Sequence, residues 1–352
     1  MIATRLLAWY RAHRRDLPWR NTRDPYAIWV SEAMLQQTRV DTVIPYWHRF
    51  LQAFPTVADL AAAPLDDVLK LWEGLGYYSR ARNLRLAAQK VVAEFDGRLP
   101  DTVPLLKTLP GIGPYMAGAV ASIAFQKPEP LLDGNVERVL TRLYAIGEPV
   151  SDPNTKRKLW QLAAELVPQQ APGDFNQGLM ELGATICIPK APGCVTCPLS
   201  EACAAHASGT PERYPLKPKK AAVPHHHIAV AVVTHQDKWL LVRRPETGLL
   251  GGLWEFPGGQ LAAGEPPVDG VSLRLRERFA LAVTPVRPLT PVNHLFSHRR
   301  VTLHPFLCSA ASGTVSPRYH SEFRWVSAET VNALALPRAH RKIAAALEQA
   351  GG

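Results

Sequence analysis

The tightest constraint on this chain is the stretch "CIPKAPGCVTCPLSEAC", which holds Cys187, Cys194, Cys197 and Cys203. Four thiols within 17 residues can wrap one compact centre and pin the backbone around it. In a reducing compartment such a cluster more often binds metal than forms disulfides. Zinc and an iron–sulfur cluster both accept four thiolates. Zinc modules more often use two short Cys pairs separated by a longer loop, whereas here only Cys194 and Cys197 form a Cys-x-x-Cys pair. The fifth cysteine, Cys308, stands alone and carries no assignment.

The 352-residue chain is long enough for two cores. Residues 5–207 carry apolar positions at helical spacing, such as Val136, Val139, Leu140 and Leu143, punctuated by Pro and Gly. The stretch "SGTPERYPLKPKKAAVPHHH", with four Pro and a basic run, reads as a linker over 208–227. Its triplet His225–His227 is expected to be solvated rather than metal-bound. Beyond it, "HIAVAVVTHQDKWLLVRR" reads as two strands around a tight turn, "RVTLHPFLCSA" and "SEFRWVS" as two more, and residues 267–280 and 338–349 as helices. The expected organisation is an all-α domain over 1–207, the linker, and an α+β domain over 228–352. No apolar run approaches the roughly 20 residues that cross a bilayer. The N-terminus lacks a signal peptide's apolar stretch, so a cytosolic location is the default expectation, and a monomer is expected. The net charge of +10 suits a polyanionic partner, and residues 1–23 hold six Arg against one Asp.

Three further segments carry chemistry. In "LPGIGPYMAGAVASIAF", Gly111 and Gly113 can take backbone angles denied to other residues, and a helix starting behind them presents free N–H groups to a phosphate. In "LLDGNVERVLTRL", Asp133 or Asn135 can cap a helix. In "DPYAIWVSEAMLQQTRV", helical spacing puts Ile28, Glu32 and Leu35 on one face. A carboxyl among apolar neighbours is desolvated and can stay protonated near neutral pH. Taken one at a time, the cap and a solvated Glu at the rim of that face remain the simpler readings.

In this order the segments resemble the helix-hairpin-helix DNA glycosylases with an iron–sulfur cluster, and more closely the MutY family of adenine DNA glycosylases. The resemblance is carried by "LPWRNTRDPYAIWVSEAMLQQTRV", "LWEGLGYYSRARNL", "LPGIGPYMAGAV", "LLDGNVERV", "FNQGLMELGATIC" and the Cys spacing. It implies a [4Fe–4S] cluster on Cys187, Cys194, Cys197 and Cys203. It implies double-stranded DNA with adenine opposite 8-oxoguanine or guanine as the partner. Glu32 matches the acid that protonates adenine N7. Asp133 matches the carboxylate facing the developing oxocarbenium ion, with Asn135 and Tyr115 supporting both. Leu35, Gln37 and Thr38 match the wedge that enters the base stack, and Tyr77 matches a contact to the orphaned base. Trp19, Arg20 and Gln177 match the adenine pocket, although some relatives carry Glu where Gln177 stands. Gly111 and Gly113 match the phosphate-gripping hairpin. Tyr115 stands where strand-cutting relatives have a Lys, which implies a monofunctional glycosylase.

The C-terminal part resembles the MutT-type Nudix fold with a damaged signature. A frame started at Gly259 keeps Glu265 in register. Leu273-Arg274 then replaces Arg-Glu, Glu277-Arg278 replaces the Glu-Glu pair, and Ala280 replaces the Gly. Two isolated Glu beside Arg274, Arg276 and Arg278 make a poor divalent-cation site. The expectation is a fold kept as a lesion reader, with Phe296, Ser297 and His298 matching the family's loop that inspects 8-oxoguanine. Three competing readings stay open on sequence: an endonuclease III-type lyase, a non-catalytic DNA-binding protein, and a Nudix hydrolase of free nucleotides.

Overall fold

The structure is a computed structural model that describes residues 2–216, 223–296, 299–312 and 314–351. Its contacts group into two units, Met1–Ala62 with Asn83–Lys220, and Ala63–Arg82 with Ala221–Gly352.

The helices of the first part of the chain are α1 (Ile2–His13), α2 (Pro25–Leu35), α3 (Val40–Ala53), α4 (Val57–Ala62), α5 (Leu65–Leu71), α6 (Ser79–Glu94), α7 (Val103–Leu106), α8 (Pro114–Ile123), α9 (Gly134–Leu143), α10 (Pro153–Leu166), α11 (Pro172–Thr185) and α12 (Ala204–Ala207). Their starts follow local chemistry. Asp24, Asp133 and Asp152 each accept hydrogen bonds from free N–H groups at the heads of α2, α9 and α10, and Pro25 and Pro153 stand in first turns. In α2 every residue from Tyr26 to Met34 is buried, so the helix is enclosed on all sides rather than amphipathic. The core around it gathers Leu6, Ile28, Leu132, Val136, Leu140, Phe175 and Leu179.

Close backbone approach brings α8, α9 and α11 together. A Cβ on Gly118 would sit 2.0 Å from the carbonyl oxygen of Pro130, and one on Gly183 would sit 2.6 Å from Cβ of Asn135. Both positions exclude any larger residue. The segment carrying Asp133 and Asn135 is thereby pressed onto its neighbours.

The second unit holds a mixed sheet of β1 (His225–His235), β2 (Lys238–Arg243), β3 (Trp254–Glu255), β4 (Gly258–Gln260), β5 (Ala282–Pro288), β6 (Val292–Leu295), β7 (Arg300–Ser312) and β8 (Glu322–Val326). The order β3-β2-β1-β7-β5 places β1 parallel to β7 at the centre. β1 buries both faces, which explains its unbroken apolar run. Ala229, Ala231 and Val233 face helix α13 (Pro267–Phe279) through Val271, Leu275 and Phe279. Val230 and Val232 face α14 (Ala328–Ala333) and α15 (Arg338–Gly351) through Val331 and Ile343. The β1–β2 hairpin closes through Gln236 and Asp237, both left-handed at φ +48° and +59°, as a two-residue turn of primed type requires.

Two expectations shift. β1 begins at His225, so the histidine triplet expected in the linker is strand, paired in register with Arg300, Val301 and Thr302 of β7. His227 Nδ1 lies 3.0 Å from His304 Nε2, and His225 Nε2 lies 2.8 Å from Thr302 Oγ1. The segment Ala63–Arg82, expected within the all-α domain, groups with the C-terminal residues. Arg341 makes a bidentate pair with Glu73 at 2.7 and 3.1 Å, and Arg243 meets Asp66 at 2.7 Å. No helix among the described residues is long and apolar enough to cross a membrane.

Candidate active site

A cavity of about 170 Å³ opens among α2, α8, α9 and α11, lined by Trp19, Arg20, Glu32, Leu35, Thr38, Tyr115, Asp133, Asn135, Gln177, Met180 and Glu181. Nine of these side chains are ones the sequence reading singled out for catalysis, the pocket or the wedge.

Glu32 is 4% exposed. The Tyr115 hydroxyl donates to its Oε2 at 2.5 Å. Burial raises the Glu32 pKa to about 7; the tyrosine hydrogen bond opposes the rise, while the charge of Asp133 adds to it and that of Arg20 counters it. This carboxyl is therefore still partly protonated at neutral pH.

Asp133 serves as the cap of α9. Its Oδ1 accepts from the backbone of Asn135 at 3.0 Å and of Val136 at 2.7 Å, and its Oδ2 accepts from Asn135 Nδ2 at 2.9 Å. Burial raises its pKa above the usual aspartate value against the pull of these donors. The cap expected as the simple alternative is real, and it holds the carboxylate at the cavity rather than competing with that role. Behind it, Arg138 donates to Asn135 Oδ1 at 2.9 Å and to the Gly183 carbonyl at 2.6 Å. Arg138 thus fixes which way the Asn135 amide faces.

On the opposite wall, buried Glu181 accepts from Arg15 Nε and Nη2 and from Arg20 Nη2, each at 2.8 Å. Burial opposes its ionisation, but the two guanidinium groups outweigh it and draw its pKa down to about 2. Arg20 is thereby held against the cavity by a fixed anion. Glu181, Arg138 and Met180 were missed on sequence. Gln177, Met180, Glu181 and Ala184 fall three, four and seven residues apart on α11, and that shared face was the available signal.

The wedge candidates divide. Leu35 and Thr38 line the cavity, whereas Gln37 stands outside its lining in a left-handed turn at φ +60°. In the hairpin, Gly111 is left-handed at φ +78°, and a Cβ there would meet Asn83 Cβ at 2.7 Å. Gly113 corrects the sequence reading. It is extended at φ −89°, ψ −178°, with open space around it, so no special angle demands glycine there. It caps α8 without a side-chain bond, which leaves the N–H groups of that helix start open.

Cys187, Cys194, Cys197 and Cys203 are all half-buried thiols. Three of them, Cys187, Cys197 and Cys203, pack on the same helical core. Arg142, fully enclosed, donates to Cys187 Sγ at 3.3 Å and to the carbonyls of Ile188 and Pro189 at 2.7 and 3.0 Å. Burial raises Cys197 to about 11, with the charges of Cys187, Cys203 and Cys194 adding to the shift, so the four sulfurs feel one another. Among the described residues no three His, Cys, Asp or Glu side chains already surround a single-ion position.

Within the second unit a pocket of about 330 Å³ is lined by Tyr77, Arg82, Leu249, His294, Leu295 and Phe296 among others. Ser297 and His298 lie outside the described residues. The Nudix frame is occupied internally: Arg274 bridges Glu265 at 2.7 Å and Glu277 at 3.1 Å and donates to the Gln260 carbonyl at 2.9 Å. A guanidinium neutralises both surviving carboxylates.

Residues 30–165 match the model of the HhH-GPD superfamily of base excision DNA repair proteins, and residues 228–346 match that of the NUDIX domain. A thermostable thymine-DNA glycosylase structure superposes with a TM-score of 0.55 at 33% identity, covering 59% of this chain and 95% of that one. Fold and site together define a helix-hairpin-helix DNA glycosylase joined to a Nudix domain. An adenine DNA glycosylase of Rattus norvegicus is 38% identical over 96% of this chain and 76% of its own length. One from Buchnera aphidicola, of the strain from Acyrthosiphon pisum, is 34% identical over 96% and 95%. The chain belongs to the adenine DNA glycosylase family.

Proposed function

We propose that this enzyme hydrolyses the N-glycosidic bond of adenine in duplex DNA where the base stands opposite 8-oxoguanine or guanine, and leaves the strand uncut. The observation that carries this is the pairing of Glu32, raised to about 7, with Asp133 on the walls of one small cavity.

Adenine is a poor leaving group until it is protonated. Glu32 delivers that proton to N7, and Tyr115 holds the carboxyl in position. Asp133, held by the helix cap, faces the sugar and stabilises its positive charge until water adds at the anomeric carbon and gives up a proton, which completes the hydrolysis, much as paired carboxyls divide their work in glycosidases. Extrusion of the base costs a few kcal/mol. Leu35, Gln37 and Thr38 fill the gap it leaves, while Trp19, Arg20 and Gln177 hold the base. The N–H groups behind Gly111 and Gly113 grip a phosphate. Tyr77, Phe296, Ser297 and His298 inspect the base left behind.

Cys187, Cys194, Cys197 and Cys203 would hold a [4Fe–4S] cluster. The donor set fits, since each iron takes one thiolate and the sulfurs need not converge on one point. Arg142 donates to Cys187 Sγ and to the carbonyls of Ile188 and Pro189, which holds the first thiol of the set in place. When bound, the cluster supplies four metal–thiolate ties that fix this loop.

The test is adenine release from duplexes bearing adenine opposite 8-oxoguanine, guanine or thymine. Release confined to the first two supports the reading, and release from none refutes it. Borohydride trapping of a covalent adduct in step with turnover would overturn the monofunctional assignment.

A further inference from the structure

Between α5 and α6 the chain turns through "WEGLGYYSR". Gly74, Gly76 and Tyr77 are left-handed, at φ +104°, +75° and +46°. Glycine takes these angles freely, but a tyrosine takes them only against the steric opposition of its Cβ. Tyr77 is nevertheless held in that state with 47% of its surface exposed, at the edge of the 330 Å³ pocket it shares with Phe296. Such strain persists only where the surroundings over-determine it.

What over-determines it is Arg80. Its Nη2 donates to the carbonyls of Leu75 and Gly76 at 3.2 and 3.0 Å, and its Nε to that of Tyr77 at 3.4 Å. Its backbone N–H donates to the same Tyr77 oxygen at 2.9 Å. Three successive carbonyls of the strained turn therefore converge on one guanidinium. The cation also lies 5.3 Å from the ring centre of Trp72 and 5.7 Å from that of Tyr77. Fully buried Trp72 donates its indole N–H to the Gly76 carbonyl at 3.2 Å, which anchors the assembly from below. Burial lowers Arg80 to about 10, so it remains a cation at neutral pH. The neighbouring Arg82 works elsewhere, donating to the Gly251 and Gly248 carbonyls at 2.7 and 3.3 Å.

We propose that Arg80 is a positioning residue for lesion discrimination: its planar fork holds Tyr77 in the left-handed pose that presents the phenol ring to the base opposite adenine. The inference rests on the reading of Tyr77 as a contact to that base. Lysine cannot substitute, because a single ammonium neither spans three carbonyls nor stacks as a plane.

The experiment measures single-turnover adenine release from adenine:8-oxoguanine and adenine:guanine duplexes for the full-length protein and for Tyr77→Ala, Arg80→Met, Arg80→Lys, Tyr77→Ala/Arg80→Met and, as a control at an exposed arginine outside the pocket, Arg287→Met. The readout is the ratio of the two rates, with thermal unfolding recorded alongside. Loss of one positioned contact corresponds to about a tenfold fall in that ratio. Arg80→Met and Arg80→Lys are expected to fall with Tyr77→Ala, Arg287→Met is expected to keep the ratio, and the double variant is expected to fall no further than Tyr77→Ala. A purely structural role for Arg80 would lower stability and make the double variant's losses multiply. That result, or a wild-type ratio in both Arg80 variants, overturns the proposal. Failure of the underlying reading looks different: the wild type would show no preference for 8-oxoguanine, or Tyr77→Ala would keep it.

Discussion

Removing the Tyr115 hydroxyl is expected to move the alkaline limb of the pH–rate profile upward. Burial raises Glu32 to about 7, and the 2.5 Å bond from Tyr115 works against that rise by favouring the charged carboxylate. A hydrogen bond to a charged group contributes about 1.5–3 kcal/mol. At about 1.4 kcal/mol per pKa unit, losing it shifts Glu32 up by about one to two units. The acid is the protonated form, so activity is present below the folded pKa and lost as pH rises through it. In the wild type the rate of base release should fall about tenfold per pH unit above about 7. In Tyr115→Phe the same fall should start about one to two units later. Single-turnover release on an adenine:8-oxoguanine duplex across the neutral to alkaline range reads this directly. The ratio of variant to wild-type rate should climb by about one to two orders of magnitude across that range, whatever the variant loses in absolute rate. A limb that stays in place, or moves to lower pH, would refute the idea that Tyr115 sets the proton affinity of Glu32.

Other expectations follow from the same contacts. Asp133→Asn keeps an equivalent cap on α9, so unfolding should change by less than about 1 kcal/mol while base release collapses; thermal melts paired with rate assays separate the two. Gly111→Ala combines a left-handed angle with a 2.7 Å approach to Asn83 and should cost about 1–3 kcal/mol along with DNA affinity, whereas Gly113→Ala should leave stability within about 0.5 kcal/mol. Arg142→Met withdraws the donor to Cys187 and to the Ile188 and Pro189 carbonyls, and the purified protein should carry less iron per chain by metal analysis.

Much of the cavity lining was legible because its signals are local. An Asp before a helix start, a Glu inside an apolar helix and a glycine turn before another helix each declare themselves within a few residues. What stayed hidden depends on partners distant in sequence. The grouping of Ala63–Arg82 with the C-terminal residues rests on pairs such as Glu73–Arg341, 268 residues apart. The histidine triplet became strand because β7 offers a parallel ladder, which no local pattern announces. The strand β5 carries Pro285 and Pro288, residues that argue against a strand, and it is tolerated as the edge of the sheet beside β7. Strands β3 and β4, two and three residues long, are too short to display an alternation. Glu181 was within reach, since its spacing from Gln177 was visible, but its two arginine partners lie more than 160 residues away. The damaged Nudix frame was expected to be cation-poor from its composition, and the fold adds that Arg274 itself takes up both remaining carboxylates.

The account as a whole turns on whether the buried carboxyl of Glu32 delivers the proton that frees the base. Glu32→Gln keeps the size and the hydrogen-bonding reach of the side chain and removes only its acidity. Adenine release by this variant should fall by at least about 10²- to 10⁴-fold, the usual contribution of a positioned acid, while its affinity for the adenine:8-oxoguanine duplex stays near that of the wild type. Base release at an undiminished rate, or a loss of affinity that accounts for the whole decline, would contradict it.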